Sequence, residues 1–109
     1  MSECIFCKII AGTIPCKKAY EDNNFIAFHD IRPIAKVHLL LVPKKHKTSL
    51  FDYSGEDEAL LGKLMLLAPK LAKEHGLEDG FKTSINTGAG GGQEVPHLHV
   101  HVYGGGRPN

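Results

Sequence analysis

The stretch VPHLHVHVYGGG, residues 95–106, places three histidines at alternate positions, His97, His99 and His101, with Leu98, Val100 and Val102 between and after them. Successive side chains on a strand point to opposite faces. The spacing therefore predicts a strand over 97–103 with three imidazoles on one face and three aliphatic side chains on the other. The aliphatic face needs a covering layer. The imidazole face has three readings. It is a solvated face rich in histidine, a metal site made by imidazoles at i and i+2, or a site for phosphorus chemistry. In the last case one imidazole attacks and the others supply protons or hydrogen bonds to phosphate oxygens. The preceding loop, Gly88-Ala89-Gly90-Gly91-Gly92, favours this reading. Glycines let backbone N–H groups approach an anion without side-chain obstruction.

Working outward, Lys36–Pro43 contains Val37, His38, Leu39, Leu40, Leu41 and Val42 in a row. Apolar residues at both parities predict a central strand covered on both faces. Lys17–Glu21 and Phe25–Asp30 read as two strands around an Asp22-Asn23-Asn24 turn, and Phe81–Thr87 as another strand. Glu3–Ala11 has Ile5, Phe6, Ile9 and Ile10 at helical spacing, with Gly12 as a stop. Glu56–His75 is the long helix. Leu60, Leu61, Leu64, Leu67, Ala68 and Leu71 form one stripe, widened by Met65 and Ala72 to about 160°, with Leu66 on the far, charged side. Pro69 should kink this helix and Gly76 should cap it. The element order and short connections predict an α+β fold: a mostly antiparallel five-stranded sheet with a short N-terminal helix and one long helix, in a single domain over 1–109.

Composition narrows the setting. The chain has 109 residues, 42% hydrophobic, with a formal net charge of +1. It lacks the basic balance of a nucleic-acid binder and any apolar run near the roughly 20 residues of a membrane span. MSECIFCKII has no signal-peptide pattern, so a cytoplasmic location is expected. In that compartment Cys4, Cys7 and Cys16 are thiols or metal ligands before they are disulfides. Cys4 and Cys7 form a C-x2-C pair, which is half of a tetrahedral zinc site or two small buried thiols on one helix face.

His-Leu-His-Val-His-Val-Tyr, residues 97–103, matches the His-φ-His-φ-His-φ-φ pattern of the histidine triad (HIT) family. CIFCKIIAGTIP, FIAFHDIRPIAKVHLLLVPKKH, INTGAGGGQEVPHLHVH and GGGRP resemble the Hint branch of that family, in order and over nearly the whole chain. The resemblance implies a HIT-like fold and a purine nucleoside phosphoramidase. His99 would be the nucleophile that forms a nucleotidyl-histidine intermediate. His101 and His38 would assist it, although His38 taken alone reads as a core histidine. Asn86 and Gly92 would donate to phosphate. Asp30 would hold the ribose, although it could equally cap the turn before Arg32. Phe6, Ile9, Ile14, Phe28 and Ile31 would form the base slot, with His29 in the same segment. Gln93-Glu94 resembles the bacterial subgroup, with Glu94 in place of a serine that assists the leaving group in animal members. His46 and His97 would complete a structural Cys2His2 zinc site with Cys4 and Cys7, and catalysis would need no cofactor. The expected partners are a purine nucleotide of the AMP or GMP type and a second copy of the chain. The homodimer would use Leu60–Leu71 and Phe81–Thr87, with no nucleic acid or membrane involved. Two other functions stay open at this point: a nucleotide-binding or scaffolding module with weak catalysis, and a dinucleoside polyphosphate hydrolase.

Overall fold

The computed structural model describes residues 4–108. The elements are α1 (Ile5–Ile10), β1 (Lys18–Glu21), β2 (Phe25–His29), β3 (Val37–Pro43), α2 (Glu58–Glu74), β4 (Lys82–Ser84) and β5 (Val100–Gly104). Glu3, expected to begin the first helix, lies outside the described residues. The five strands form one sheet in the order β1-β2-β3-β5-β4, and every neighbouring pair is antiparallel. The α+β architecture expected from the sequence is therefore present, with β3 central as its two apolar parities required.

Alternation on β3 sorts the core into two layers. Leu39 and Leu41 face α2, where they join Ala27, Leu98, Val100 and Val102 against Leu64, Leu67, Ala68, Leu71 and Ala72. Leu40 and Val42 face the other way, with Ile26 and Phe28, and are covered by Phe6 of α1 and by Cys4 at its N-cap. The long helix thus closes one face of the sheet. The short one closes only part of the other and leaves that face partly open.

Local chemistry sets the boundaries. Asp22 turns the β1–β2 hairpin by accepting from Asn24 N and Phe25 N, both at 2.8 Å. Both helices end in the same motif. Gly12 (φ +81°) and Gly76 (φ +87°) take the left-handed conformation after α1 and α2. The following amides, Thr13 N–H and Leu77 N–H, close back on Lys8 O and Ala72 O at 2.9 and 2.8 Å. Helix α2 continues through Pro69, which lies inside it. Met65, expected to widen the stripe, is 39% exposed, and Leu66 is 73% exposed. No helix among the described residues is long and apolar enough to cross a membrane.

Two strands are shorter than expected. The predicted strand over 97–103 joins the sheet only from Val100. The β3–β5 ladder stops at Leu41↔Val100, because Pro43 O accepts from the His97 ring at 2.8 Å and Leu98 N–H is drawn to Lys47 O at 2.9 Å. The chain at 97–99 peels away from β3, yet its side chains keep alternating. The predicted strand over 81–87 pairs only from Lys82 to Ser84, although Phe81 and Ile85 still pack on the α2 side.

Candidate active site

On the α1 side of the sheet lies a cavity of about 700 Å³, within the range that takes a small-molecule ligand. His38, His99 and His101 line it, with Asp30, Asn86, Gly92 and Glu94. Phe6, Ile9, Ile14, Phe28 and Ile31 form its apolar wall. These residues come from α1 and the turn after it, the β2 end, β3, the glycine loop and the residues flanking it, and β5 with the residue before it, so the sheet gathers what the sequence spreads over nearly the whole chain.

The protons of the three imidazoles on this face are ordered by their partners. His99 is 6% exposed, and its Nδ1–H donates to His97 O at 2.8 Å. That bond leaves the lone pair on Nε2, the nitrogen free to attack. The ring lies edge-on to Phe6 at 5.0 Å and to His101 at 5.0 Å, which restricts its rotation. His38 accepts Ile34 N–H on Nδ1 at 3.1 Å, so its Nε2 carries the proton. That proton points at His101 Nδ1, 2.9 Å away, and His101 must then hold its own proton on Nε2. Burial pushes the pKa of His38 down, and the nearby Asp30 opposes it only in part. Burial also pushes His101 down, reinforced by His99 and His38 and opposed by Asp30 and Glu94. Both rings are thus kept neutral, His101 as an N–H donor.

Asp30 Oδ1 accepts Arg32 N–H at 2.8 Å, so this carboxylate does cap the turn. Its Oδ2 lies 3.4 Å from His38 Nε2. An ionised carboxylate has about four acceptor sites, so capacity for a ribose remains. Asp30, His38 and His101 are close enough to be considered as metal ligands. The Ile34 N–H on His38 argues against that use, because a metal would need the His38 Nε2 that holds the proton.

Three of the expected nucleotide-binding residues differ in placement from their neighbours. His29 borders the cavity, but its ring lies 5.5 Å from that of His75, at the C-cap of α2. Gln93 does not line the cavity. Its side chain pins the glycine loop, accepting Gly88 N–H at 2.8 Å and donating to Thr48 O at 2.6 Å and Val95 O at 2.9 Å. Gly92 N–H, expected to face phosphate, donates to Ala89 O at 3.1 Å, and Gly92 O accepts from Asn86 Nδ2 at 3.4 Å. Glu94 is exposed at the mouth. Ser84, Ile34 and Val95 also line the cavity. Sequence reasoning passed over all three, and for Ser84 the only signal was its parity with Asn86.

A second cluster joins α1 to the sheet. The donor atoms of Cys4, Cys7, His46 and His97 all lie within 4.8 Å of one another. Cys4 Sγ to His97 Nδ1 is 3.3 Å, Cys7 Sγ to His46 Nδ1 is 3.3 Å and to His97 Nδ1 3.6 Å, and the two Nδ1 atoms are 3.0 Å apart. Ligands of a tetrahedral zinc stand roughly 3.3–3.8 Å apart; the three sulfur–nitrogen separations fall in that range, the two Nδ1 atoms stand closer, and two thiols with two imidazoles are a donor set that zinc takes. The His97 Nε2–H bond to Pro43 O is the outer contact that aims Nδ1 at the cysteines. Burial pushes the Cys4 thiol up, which a cation would reverse.

Comparison with known proteins agrees with this geometry. A sequence model of the HIT domain matches residues 11–107. The chain is 57% identical over 104 residues to Protein HitA of Neisseria gonorrhoeae, covering 95% of this chain and 97% of that one. The structure is similar to a HIT family hydrolase from Legionella pneumophila, with a TM-score of 0.92 and 47% identity over 94% of this chain and 93% of the other. It is also similar to a zinc-bound histidine triad family protein from Mycobacterium smegmatis, with a TM-score of 0.81 and 38% identity over 98% of this chain and 76% of that one. The alternating histidines, the cavity lined by His38, His99 and His101, and these matches together make the chain a member of the HIT domain family.

Proposed function

We propose that this chain is a purine nucleoside phosphoramidase of the Hint branch, cleaving the P–N bond of an adenosine 5′-phosphoramidate. The observation that carries the reading is the His99 tautomer, with Nδ1–H held by His97 O and Nε2 directed to chemistry. In the proposed reaction the Nε2 lone pair attacks the α-phosphorus. The P–N bond breaks, and its electron pair goes to the leaving nitrogen, which takes a proton by way of Glu94 and departs as the amine. Water then attacks the nucleotidyl-histidine. Its oxygen joins phosphorus, His99 regains its lone pair, and the nucleoside monophosphate leaves with the water's proton lost to solvent. Two easier displacements replace one hard one. His101 Nε2–H and Asn86 Nδ2 face the phosphate, where fixed donors stabilise the charge that builds up. Asp30 accepts from the ribose, and the wall around Phe28 holds the purine.

Cys4, Cys7, His46 and His97 would hold a zinc, which would supply a structural cross-link between α1 and the sheet, and the proposed reaction calls on no other cofactor. The chain works in the cytoplasm as a single-domain subunit of a homodimer. The exposed Leu66 and the unpaired outer edge of β4 support that assembly.

The test is turnover of a fluorogenic adenosine phosphoramidate, with rapid-quench trapping of the intermediate. The wild type should turn over and show a nucleotidyl adduct on His99, and His99→Ala should lose roughly a thousandfold or more in kcat. An adduct on His101 or His38, or a near wild-type His99→Ala, sinks the mechanism. A wild type that binds AMP without turnover leaves a binding module instead.

A further inference from the structure

The polar row that begins at His38 and His101 continues onto β4. Ser84 stands directly opposite His101 in the β4–β5 ladder. Opposed residues of an antiparallel pair share a face, with Cβ atoms about 4.5–5.5 Å apart. Ser84 lines the cavity together with His99, His101 and Asn86. Among the described residues neither Ser84 Oγ nor His101 Nε2 has a hydrogen-bond partner.

The glycine loop sharpens the question of what recognises an anion here. Its amides are largely spent within the loop. Gly88 N–H goes to Gln93 Oε1 at 2.8 Å, and Gly91, Gly92 and Gln93 N–H go to loop carbonyls, each at 3.1 Å. Recognition therefore falls to side chains. Three converge on the cavity: the His101 Nε2–H ordered by His38, the Asn86 amide, and the Ser84 hydroxyl from the adjoining strand. A hydroxyl can turn its proton to an acceptor-only group, which is what a phosphate presents.

We propose that Ser84 is a phosphate-recognition residue, whose hydroxyl donates to a nonbridging oxygen of the bound nucleotide beside His101. This rests on the nucleotide reading above. A hydrogen bond to a charged oxygen contributes enough that its loss weakens binding about tenfold.

The experiment compares Ser84→Val, Ser84→Thr and Ser84→Ala with the wild type, titrating each with AMP and with adenosine by calorimetry. Valine matches threonine in shape but lacks the hydroxyl, and alanine removes the hydroxyl without adding bulk. Ser84→Val and Ser84→Ala should bind AMP about tenfold more weakly and adenosine as the wild type does. Ser84→Thr should stay within about twofold of the wild type for AMP. Unchanged AMP affinity in Ser84→Ala overturns the assignment. So does an equal loss for AMP and adenosine, which marks a merely structural role, or a threonine variant as weak as the valine one. A wild type that binds AMP tightly but turns over no phosphoramidate defeats the catalytic reading and leaves the Ser84 assignment standing. A wild type that binds neither ligand defeats both.

Discussion

Burial favours His38 and His101 as neutral rings in this fold, and that has a consequence for pH. Burial, the main cause, holds both below the ordinary imidazole value of 6.5. The unfolded chain therefore binds protons that the folded one refuses. Stability is full above about pH 6.5 and is lost as pH falls toward the depressed folded values. Burial gives His29 and His97 the same sign, so the useful readout is a difference between variants. Paired carboxylates titrate lower: Glu21, held mainly by Lys18 and then Lys44, sits at about 2. The melting temperature should fall between pH 7 and 5, and fall less steeply in His38→Gln. Equal slopes by calorimetry would falsify the link to this ring. The alternation of His97, His99 and His101 was legible in the sequence because side-chain parity is local. The proton on each ring was not. It depends on Ile34 N–H, His97 O and Pro43 O, backbone groups that tertiary approach brings into place. Gln93 resembled a ligand-binding residue for the same reason, since nothing local shows its amide closing the loop on Thr48 O.

Helix α1 has only six residues, too few to persist alone in water. Two things hold it: Phe6, 5% exposed against Phe28, and the donor cluster at its N-terminus, where Cys4 is also the N-cap. Because α1 walls the cavity through Phe6 and Ile9, disrupting the Cys4, Cys7, His46 and His97 cluster should loosen the cavity wall before the sheet. Untagged protein purified without added metal is expected to carry about one zinc per chain. Cys4→Ser should lower zinc content and melting temperature together, as elemental analysis and calorimetry would show. Metal-free protein whose stability is unchanged by the substitution would leave two buried thiols and no metal site. The C-x2-C pair was visible in sequence, but His46 and His97 reached it only through family resemblance, because 39 and 93 residues separate the partners. Element ends were harder to read than element types. Nothing in the run from His97 to Tyr103 shows that a histidine ring takes the place of a strand amide at Pro43 O.

Across the whole molecule the apolar residues divide between an inner and an outer set, and on α2 the division marks where a second copy would dock. Leu64 and Leu71 are fully buried against the chain's own sheet, whereas Leu66 is 73% exposed and Met65 39%. The stripe from Leu60 to Leu71, expected to serve the dimer, is therefore mostly intramolecular, and a charge at Leu64 would strike the core instead of the contact. The probe belongs at Leu66. A two-fold axis near it would place each copy's Leu66 against its twin, with the outer edge of β4 available to extend the sheet into the partner. The wild type should sediment at about twice the 11.9 kDa of one chain, in the low micromolar range. Leu66→Glu should shift it toward monomer while leaving the residues facing the sheet untouched, so near-native circular dichroism should accompany the dissociation. A wild type that runs as a single species near 11.9 kDa, or a Leu66→Glu variant as dimeric as its parent, would show that this face of α2 meets only solvent.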